Sequence, residues 1–543
     1  MPIEIGSIII DDEAAIRQFK QDLRDDWFPD PRRFEDIFDQ SLIQKLISAN
    51  CRQNGGVYRA SSRKDLNIPK PNFTLRTALE TSVPDRVVYH ALVASIVPYF
   101  DPLIPWQIYS HRYNDVEAKK YLFKRGVRSW SAFSGVCRSQ LIEGKVLLST
   151  DLSNYFENID IRLLRDALIG LVADIDQDER TKKSILERID LLFTCLKAWC
   201  YRDARYGLPQ NRDASSFLAN IYMLVVDKSM LSRGYQYYRY MDDIKIVCHD
   251  HFHARMALKD LSIQLRNIGL SINAKKTVIC DAEDAKAIGE QLDTLSPELN
   301  DIESMWETKK VSVIKKSFAA LRDQTVRLLE EGKIDSREFR FCIARMEALA
   351  QCDELAIPAT YFAPITPLIV SALTIQPSAT DQLVRFLRLI NTSDEDLARI
   401  GDYLIDTRRS IYTWQNYRMW VLLAQKNYAS RPLLEYALDL VKSSGDNPNR
   451  SGATIYLGAV GGTEERMAVA ENFRTLETFM GQRHALLAVQ ELNYGDQVEK
   501  PVKPHVRPDL NGVYRGLQQA RGYFAPPERR SIAWIIDNER SYA

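Results

Sequence analysis

Neither sign of charge prevails in this sequence: 72 Lys and Arg residues balance 72 Asp and Glu, leaving the 543-residue chain with a formal net charge of zero. A chain without a basic excess has no overall field to gather a polyanion, so any nucleic acid must be held by local patches. Long apolar runs are also missing. None reaches the roughly 18 residues that a bilayer-spanning helix needs, and the acidic residues behind the short Ile8–Ile9–Ile10 run do not make a secretory signal. The expectation is a cytosolic protein. Cysteine is sparse and scattered: eight residues, no CxxC pair, and the nearest two, Cys195 and Cys200, read as buried thiols and not as a zinc site or disulfide framework. No strict internal period is found. What is present is an ordinary apolar fraction of 45%, on a length suited to roughly three or four domains.

Residues 10–50 alternate apolar and charged positions at helical spacing around the turn-rich Trp27–Pro31, which predicts two helices. Residues 51–84 hold Arg52, Arg59, Arg63, Lys64, Lys70 and Arg76 among Pro, Asn and Ser, a pattern of loops and a hairpin facing a polyanion. A helix is predicted over Val87–Val97, ended by Pro98, Pro102 and Pro105. A second basic stretch, with Arg112, Lys119, Lys120, Lys124, Arg125 and Arg128 interleaved with Tyr113, Tyr121, Phe123 and Trp130, reads as a strand-tracking surface or a solvated helix face. Val146–Thr150 is a short β-prone run and residues 161–200 are helical. Tyr235–Tyr240 and Ile244–Cys248 read as a hairpin with carboxylates at its tip. Leu258–Ile268 is helical, Gly269 stops it, and a strand is expected to begin at Leu270–Ile272. From about residue 303 the pattern is nearly all helical, resembling a degenerate α-solenoid, with Gln497–Pro508 as a loop.

The chemistry sits on carboxylates. Nucleotidyl transfer by two divalent cations, one activating the attacking hydroxyl and one neutralising the triphosphate, needs acids converging from different elements. Asp151 follows the run Val146–Thr150, and Asp242 and Asp243 sit between two β-prone segments; adjacent strands of one sheet would bring them together. An isolated Asp–Asp pair in an exposed turn means little by itself. The alternation of His249, His251 and His253 just beyond would suit a metal on one strand face, but with Asp250 among them it reads better as a polar exit from the hairpin.

Context gives the acids meaning. Arg239–Tyr240–Met241–Asp242–Asp243 resembles the YxDD motif of reverse transcriptases, and Asp151–Asp160 resembles the first catalytic motif of group II intron and retron enzymes. Between them Gly207–Tyr222 is similar to the LPQG...S..LANIY motif of that family, Gly269–Thr277 resembles the following motif with Lys276 in its lysine position, and Pro84–Leu92 resembles the DRVVQ-AL helix. Counting back places Arg76 at the fingers arginine. The resemblance covers roughly residues 60–280, with the motifs in the family's order. Two departures stand out: Asn211 replaces the usual Gly after Gln210, and no FLG segment follows Cys280.

The resemblance implies an α+β protein: a reverse-transcriptase fingers–palm–thumb core followed by an all-α helical-repeat C-terminal domain. The corresponding segments are 1–145, N-terminal helices and fingers; 146–290, palm; 291–335, thumb; and 336–543, helical repeats. It implies an RNA-directed DNA polymerase with two Mg²⁺ ions, for which Mn²⁺ substitutes, held by Asp151, the Leu152 carbonyl, Asp242 and Asp243. Lys276 would protonate or neutralise the leaving pyrophosphate. Arg76, Tyr155, Phe156 and Gln210 would bind the dNTP, with the Phe156 ring excluding a 2′-hydroxyl. Asn211, Tyr240 and Met241 would face template and primer. No endonuclease, protease or RNase H segment is recognisable, and the plan looks like the bacterial abortive-infection and other defence-associated reverse transcriptases. Those imply a cytoplasmic antiviral role, a noncoding RNA template, untemplated or protein-primed synthesis, and an oligomer or partner protein on the helical tail. A retron or intron-type enzyme and a non-catalytic RNA-binding scaffold are the alternatives.

Overall fold

The computed structural model describes residues 2–10, 13–24, 26–37, 40–116, 121–203, 205–292, 295–443, 445–517 and 522–537. Lys119 and Lys120 of the second basic stretch lie outside them. The chain divides into two compact units, each assembled from separated stretches: the first from Met1–Asp26, Ile43–Lys64 and Thr81–Thr294, the second from Trp27–Leu42, Asp65–Glu80 and Leu295–Ala543.

The first unit is built on a four-stranded antiparallel sheet. Its strands are β5 (Val146–Thr150), β6 (Gln236–Tyr240), β7 (Asp243–Cys248) and β8 (Val278–Asp281), in the order β6-β7-β5-β8. Side chains alternate across a strand. Leu147, Val247, Tyr238 and Cys280 therefore face one way, where Phe133 and Cys137 of the helix Gly126–Gln140 close a core over them. The opposite face is covered by the helices Asp213–Ser232 and His251–Asn267. Asp213–Ser232 is buried over most of its length, around the apolar run Phe217–Val226 that only Asn220 interrupts. His251–Asn267 starts at Asp250, whose carboxylate accepts from the His253 N–H at 2.8 Å, and gives way to Gly269 at φ 76°. A small hairpin of β1 (Ile3–Ile5) and β2 (Ile8–Ile10) lies at the amino end, where the sequence reading saw only an apolar run.

Three expectations shift in this unit. The helix predicted over Val87–Val97 spans Val83–Ala94, because the Ser82 hydroxyl caps it from Asp85 N–H and Pro84 sits in the first turn, where no N–H is needed. The strand expected at Leu270–Ile272 forms instead at Val278–Asp281, since residues 269–277 are occupied in bracing β5: Asn273 N–H donates to Asp151 O at 2.7 Å and Ser153 N–H to Ser271 O at 2.9 Å. Among its described residues, the second basic stretch is not helical before Gly126. Arg112 is consumed by Asp101 at 2.8 Å and by the carbonyls of Ile104, Pro105 and Ile108.

The second unit contains the hairpin of β3 (Asp65–Pro69) and β4 (Leu75–Leu79), and past β8 the described residues hold helices and no strand. The helices Thr380–Leu389, Thr413–Gln425, Pro448–Val460 and Phe479–Ala488 pack each on the next, and a second row of Asp394–Ile405, Arg431–Lys442 and Thr463–Glu471 lies beside them. Backbone contact is close: a Cβ on Gly458 would stand 2.5 Å from Ala488 Cα. Far-distant sequence is locked in. Tyr417 donates to Pro29 O at 2.6 Å and Trp414 to Trp27 O, while Arg483 meets Asp30 at 2.9 Å and Asp36. The expected loop at Gln497–Pro508 is instead a series of helical turns; Pro501 and Pro504 each fall at a first-turn position and tolerate them.

Candidate active site

β5 and β7 run antiparallel with Thr150 opposite Ile244, so the next residues outward, Asp151 and Asp243, stand across from each other at the strand ends. Directly paired residues of such strands have Cα atoms about 4.5–5.5 Å apart. β6 and β7 are joined by the two-residue turn Met241–Asp242, with Tyr240 opposite Asp243. Asp151, Asp242 and Asp243 are therefore delivered to one edge of one sheet by local pairing alone.

The turn is under constraint. Met241 adopts φ 57°, a left-handed conformation that costs a β-carbon-bearing residue roughly 1–2 kcal/mol. A buried polar network holds it there. Arg239, fully buried, clamps Asp227 with two bonds of 2.9 and 2.7 Å and donates to Asn220 Oδ1 at 2.9 Å and to the Met241 carbonyl at 2.8 Å. Met241 N–H donates to Ser110 Oγ at 2.9 Å. Both backbone polar groups of Met241 are thereby satisfied, and the turn is fixed before any substrate arrives. Arg239 and Asn220 lie within the motifs of the sequence without an assigned role there, and Ser110 and Asp227 were not foreseen. A signal existed: Asn220 and Asp227, seven residues apart, put polar groups on one face of a largely apolar helix segment.

The electrostatics follow from crowding. Burial, then the charges of Asp243 and Asp151, push the Asp242 carboxyl up to about 7, and burial likewise raises Asp243. Lys276 donates to Asp151 Oδ2 at 2.9 Å; burial opposes its charge, but the hydrogen bond to Asp151 and the three carboxylates outweigh that and raise its pKa. A second lysine was not foreseen. Lys245, two residues inward of Asp243 on the same face, is buried, donates to Ser149 Oγ at 2.7 Å and lies 3.9 Å from Asp243. Among the described residues no three His, Cys, Asp or Glu side chains form a ready-made metal cage. The donor set nonetheless suits a hard divalent cation: clustered carboxylate oxygens whose mutual repulsion a cation would relieve.

The other predicted residues distribute as follows. Leu152 is buried and bridges to Ile272. Tyr155 is buried and donates to Ala219 O at 2.5 Å, with Phe156 beside it at 5.4 Å between ring centres. Leu208 N–H donates to Phe156 O at 3.0 Å, aligning the Gly207–Gln210 segment with the short helix Tyr155–Asn158. Gln210 donates to Glu157 at 3.1 Å. Asn211 stands at φ 56°, the left-handed conformation that glycine adopts without penalty and asparagine tolerates. Tyr240 packs its ring 4.9 Å from Trp130 and donates to Gly126 O. Arg76 is the exception: it lies in the second unit, in mid-β4 opposite Ile68, its guanidinium 5.0 Å from the Trp27 ring centre. The three histidines do not converge; His253 pairs with Asp250 and His251 with Asp281.

Residues 68–306 match the family described as reverse transcriptase (RNA-dependent DNA polymerase). The chain thus carries a reverse transcriptase domain and is an RNA-directed DNA polymerase, a nucleotidyltransferase. No curated protein matches the sequence. Among solved structures, apo telomerase from Candida tropicalis is 11% identical, with 72% of this chain and 67% of that one covered at a TM-score of 0.32. Telomerase from Candida albicans in complex with the TWJ fragment of telomeric RNA is 11% identical, with 70% of each chain covered at 0.31. Scores of that size leave the assignment to the family match.

Proposed function

We propose that this reverse transcriptase joins deoxynucleotides by two-metal chemistry at Asp151, Asp242 and Asp243, and that it acts in antiviral defence of a bacterial cytoplasm. The observation that carries the chemistry is the delivery of three carboxylates to one sheet edge by the β5–β7 register and a two-residue turn. Mg²⁺, with Mn²⁺ as substitute, would be held by those carboxylates and the Leu152 carbonyl; bound there it would lower the pKa of the attacking hydroxyl and neutralise the triphosphate. The protein's own part is positioning. Arg239 and Ser110 fix the turn, Lys276 pairs with Asp151 and stands ready to donate a proton to the leaving group, and Phe156 closes the space a 2′-hydroxyl would need. Gln210 and Asn211 support the template–nucleotide pair, with Tyr240 and Met241 toward the primer.

The defence role rests on the resemblance of the motifs to defence-associated enzymes and on the long helical segment after them. Its two packed rows of helices favour a repeat-like surface that holds an RNA, a partner protein or a second copy of the chain. Purified protein given Mg²⁺ and each labelled nucleotide, with and without co-purifying RNA, is expected to extend a DNA product whose sequence reveals the template. Incorporation of ribonucleotides as readily as deoxynucleotides, or none of either, would overturn the reading.

A further inference from the structure

Arg388, partly buried on the helix Thr380–Leu389, makes no hydrogen bond and no ion pair with its side chain among the described residues. Its surroundings are mostly of its own sign. Arg418 and Arg33 face it as cations; the facing carboxylate is Asp381, with the Tyr417 hydroxyl nearby. Asp381 is already taken by Arg418 and, at 3.1 Å, by Arg385, which also lies 3.8 Å from Glu347. Arg33 is paired at 3.1 Å with Glu528. Lys426, which donates to the carbonyl of Ile390 at the end of the same helix, adds a further cation beside Arg388. Arg418 is 5% exposed, and its Nε is buried without a hydrogen-bond partner. Five cations thus meet three carboxylates, and Asp381 is shared between Arg385 and Arg418.

We propose that Arg33, Arg388, Arg418 and Lys426 form a phosphoryl-group binding site in the second unit, separate from the carboxylate site of the first. A buried like-charge cluster is costly to keep, and an anion is what compensates it. Guanidinium forks match phosphate oxygens bidentately, so the arginine-rich composition selects phosphate over simple anions. The electrostatics point the same way. Burial and then the neighbouring positive charges lower Arg388 to about 10, and burial and Arg388 lower Lys426 to about 8. The phosphate has two possible sources, a free nucleotide or pyrophosphate and the backbone of a nucleic acid.

The test is thermal melting of the full chain in EDTA, so that metal-dependent binding at the carboxylates does not contribute, with NaCl holding ionic strength constant. The probes are sodium phosphate, sodium pyrophosphate and a short oligothymidylate, each with wild type and R388Q. In phosphate-free buffer R388Q is expected to melt at or above wild type, because it relieves repulsion. With at least one probe wild type is expected to rise by several degrees, while the affinity of R388Q is at least tenfold weaker. A response to pyrophosphate but not the oligonucleotide assigns the site to free nucleotides; the reverse assigns it to a nucleic-acid backbone. The proposal is overturned if wild type shows no rise beyond that of chloride, if the two proteins respond alike to all probes, or if R388Q melts well below wild type without phosphate. R33Q supplies the same comparison should R388Q fail to fold.

Discussion

Arg239 in the first unit and Arg483 in the second are both sealed from solvent, and both are tied to carboxylates by near-ideal bonds. In each, burial works against the charge and the adjacent acids more than restore it. They differ in where the remaining donors go. Arg239 spends one on the carbonyl of Met241, next to Asp242 and Asp243, and its partners Asn220 and Asp227 come from one helix nearby in sequence. Arg483 spends its donors on Asp30 and Asp36, more than 440 residues away, where Asp30 also accepts from the N–H groups of Arg32 and Phe34. The same chemical device therefore shapes the turn beside the clustered carboxylates in one unit and fastens a distant stretch of chain in the other. A buried pair is weak evidence of stability in itself, but breaking one leaves an uncompensated charge.

The sharpest break in that comparison comes at the acids. Asp242→Ala or Asp151→Ala removes a carboxylate from the sheet edge and is expected to lower nucleotide incorporation by about 10³-fold or more. Melting temperature should stay near wild type, since relieving the crowding of three acids does not unpack a core. A soluble D242A protein with near-normal incorporation would remove Asp242 from the chemistry.

Next come the arginines themselves. Arg483→Met strands Asp30 and Asp36 and is expected to cost about 3–5 kcal/mol of stability, read as a lowered denaturation midpoint, with kcat of the folded fraction little changed. Arg239→Met should cost a similar amount and also depress kcat, because the Met241 turn loses its anchor. Equal kcat losses in the two variants would erase the distinction between site-shaping and fastening. Deleting the chain beyond about residue 335 is a blunter tool: it also removes the packing of Trp27–Leu42 and of the hairpin that carries Arg76.

Beside Arg483, His484 is buried with Nδ1 donating to Met480 O at 2.6 Å and Nε2 3.0 Å from the Tyr417 hydroxyl oxygen, and burial pulls it down to about 4. A neutral folded imidazole with a depressed pKa means that the unfolded chain binds the proton first. Stability from this group is complete above about pH 6.5, is lost as pH falls toward 4, and amounts to about 3 kcal/mol in all. Melting of wild type and His484→Gln across pH 7 to 4.5 should converge on acidification; parallel curves would show that the histidine is not titrating against folding.

Local reading carried well where structure is decided locally. Val146–Thr150 and the Tyr235–Cys248 hairpin were legible because short apolar runs end on acids that have no place in a sheet interior; Asp242 falls in the turn and Asp243 at the first position of β7. Residues 269–277 misled because their apolar Leu270 and Ile272 look like a strand start, whereas the chain first braces Asp151 and Ser153 before joining the sheet at Val278. The exchange of Trp27–Leu42 and Asp65–Glu80 into the second unit was illegible for a different reason. It depends on partners hundreds of residues away, and an Asp30 facing Arg483 looks in sequence like any turn aspartate. Asn220 and Asp227 lay between: polar side chains along a largely apolar helix segment are visible, but their target, the Arg239 guanidinium that holds the Met241 carbonyl, is not.

A smaller effect is expected at Phe156. Truncation to Val or Ala should relax discrimination against ribonucleotides by about 10–100-fold, the range a steric contact of one side chain supplies, with deoxynucleotide incorporation reduced less. Unchanged discrimination would show that Phe156, beside the buried Tyr155, serves the core and not the sugar.

The smallest effect concerns Asn211. Its φ of 56° means that a glycine there keeps the backbone as it is, removing residual strain in the folded state while loosening the unfolded chain. These offset, so Asn211→Gly is expected to move stability by less than about 0.5 kcal/mol, whereas Asn211→Ala, which tolerates that conformation poorly, should cost about 1 kcal/mol. The pair separates two roles of one residue. If the asparagine side chain also meets the template–nucleotide pair, both variants will change misincorporation to a similar degree despite their different stabilities. If misincorporation instead follows stability, falling out of line only in the alanine variant, Asn211 acts through its backbone alone and substitutes for the family's glycine without adding a contact.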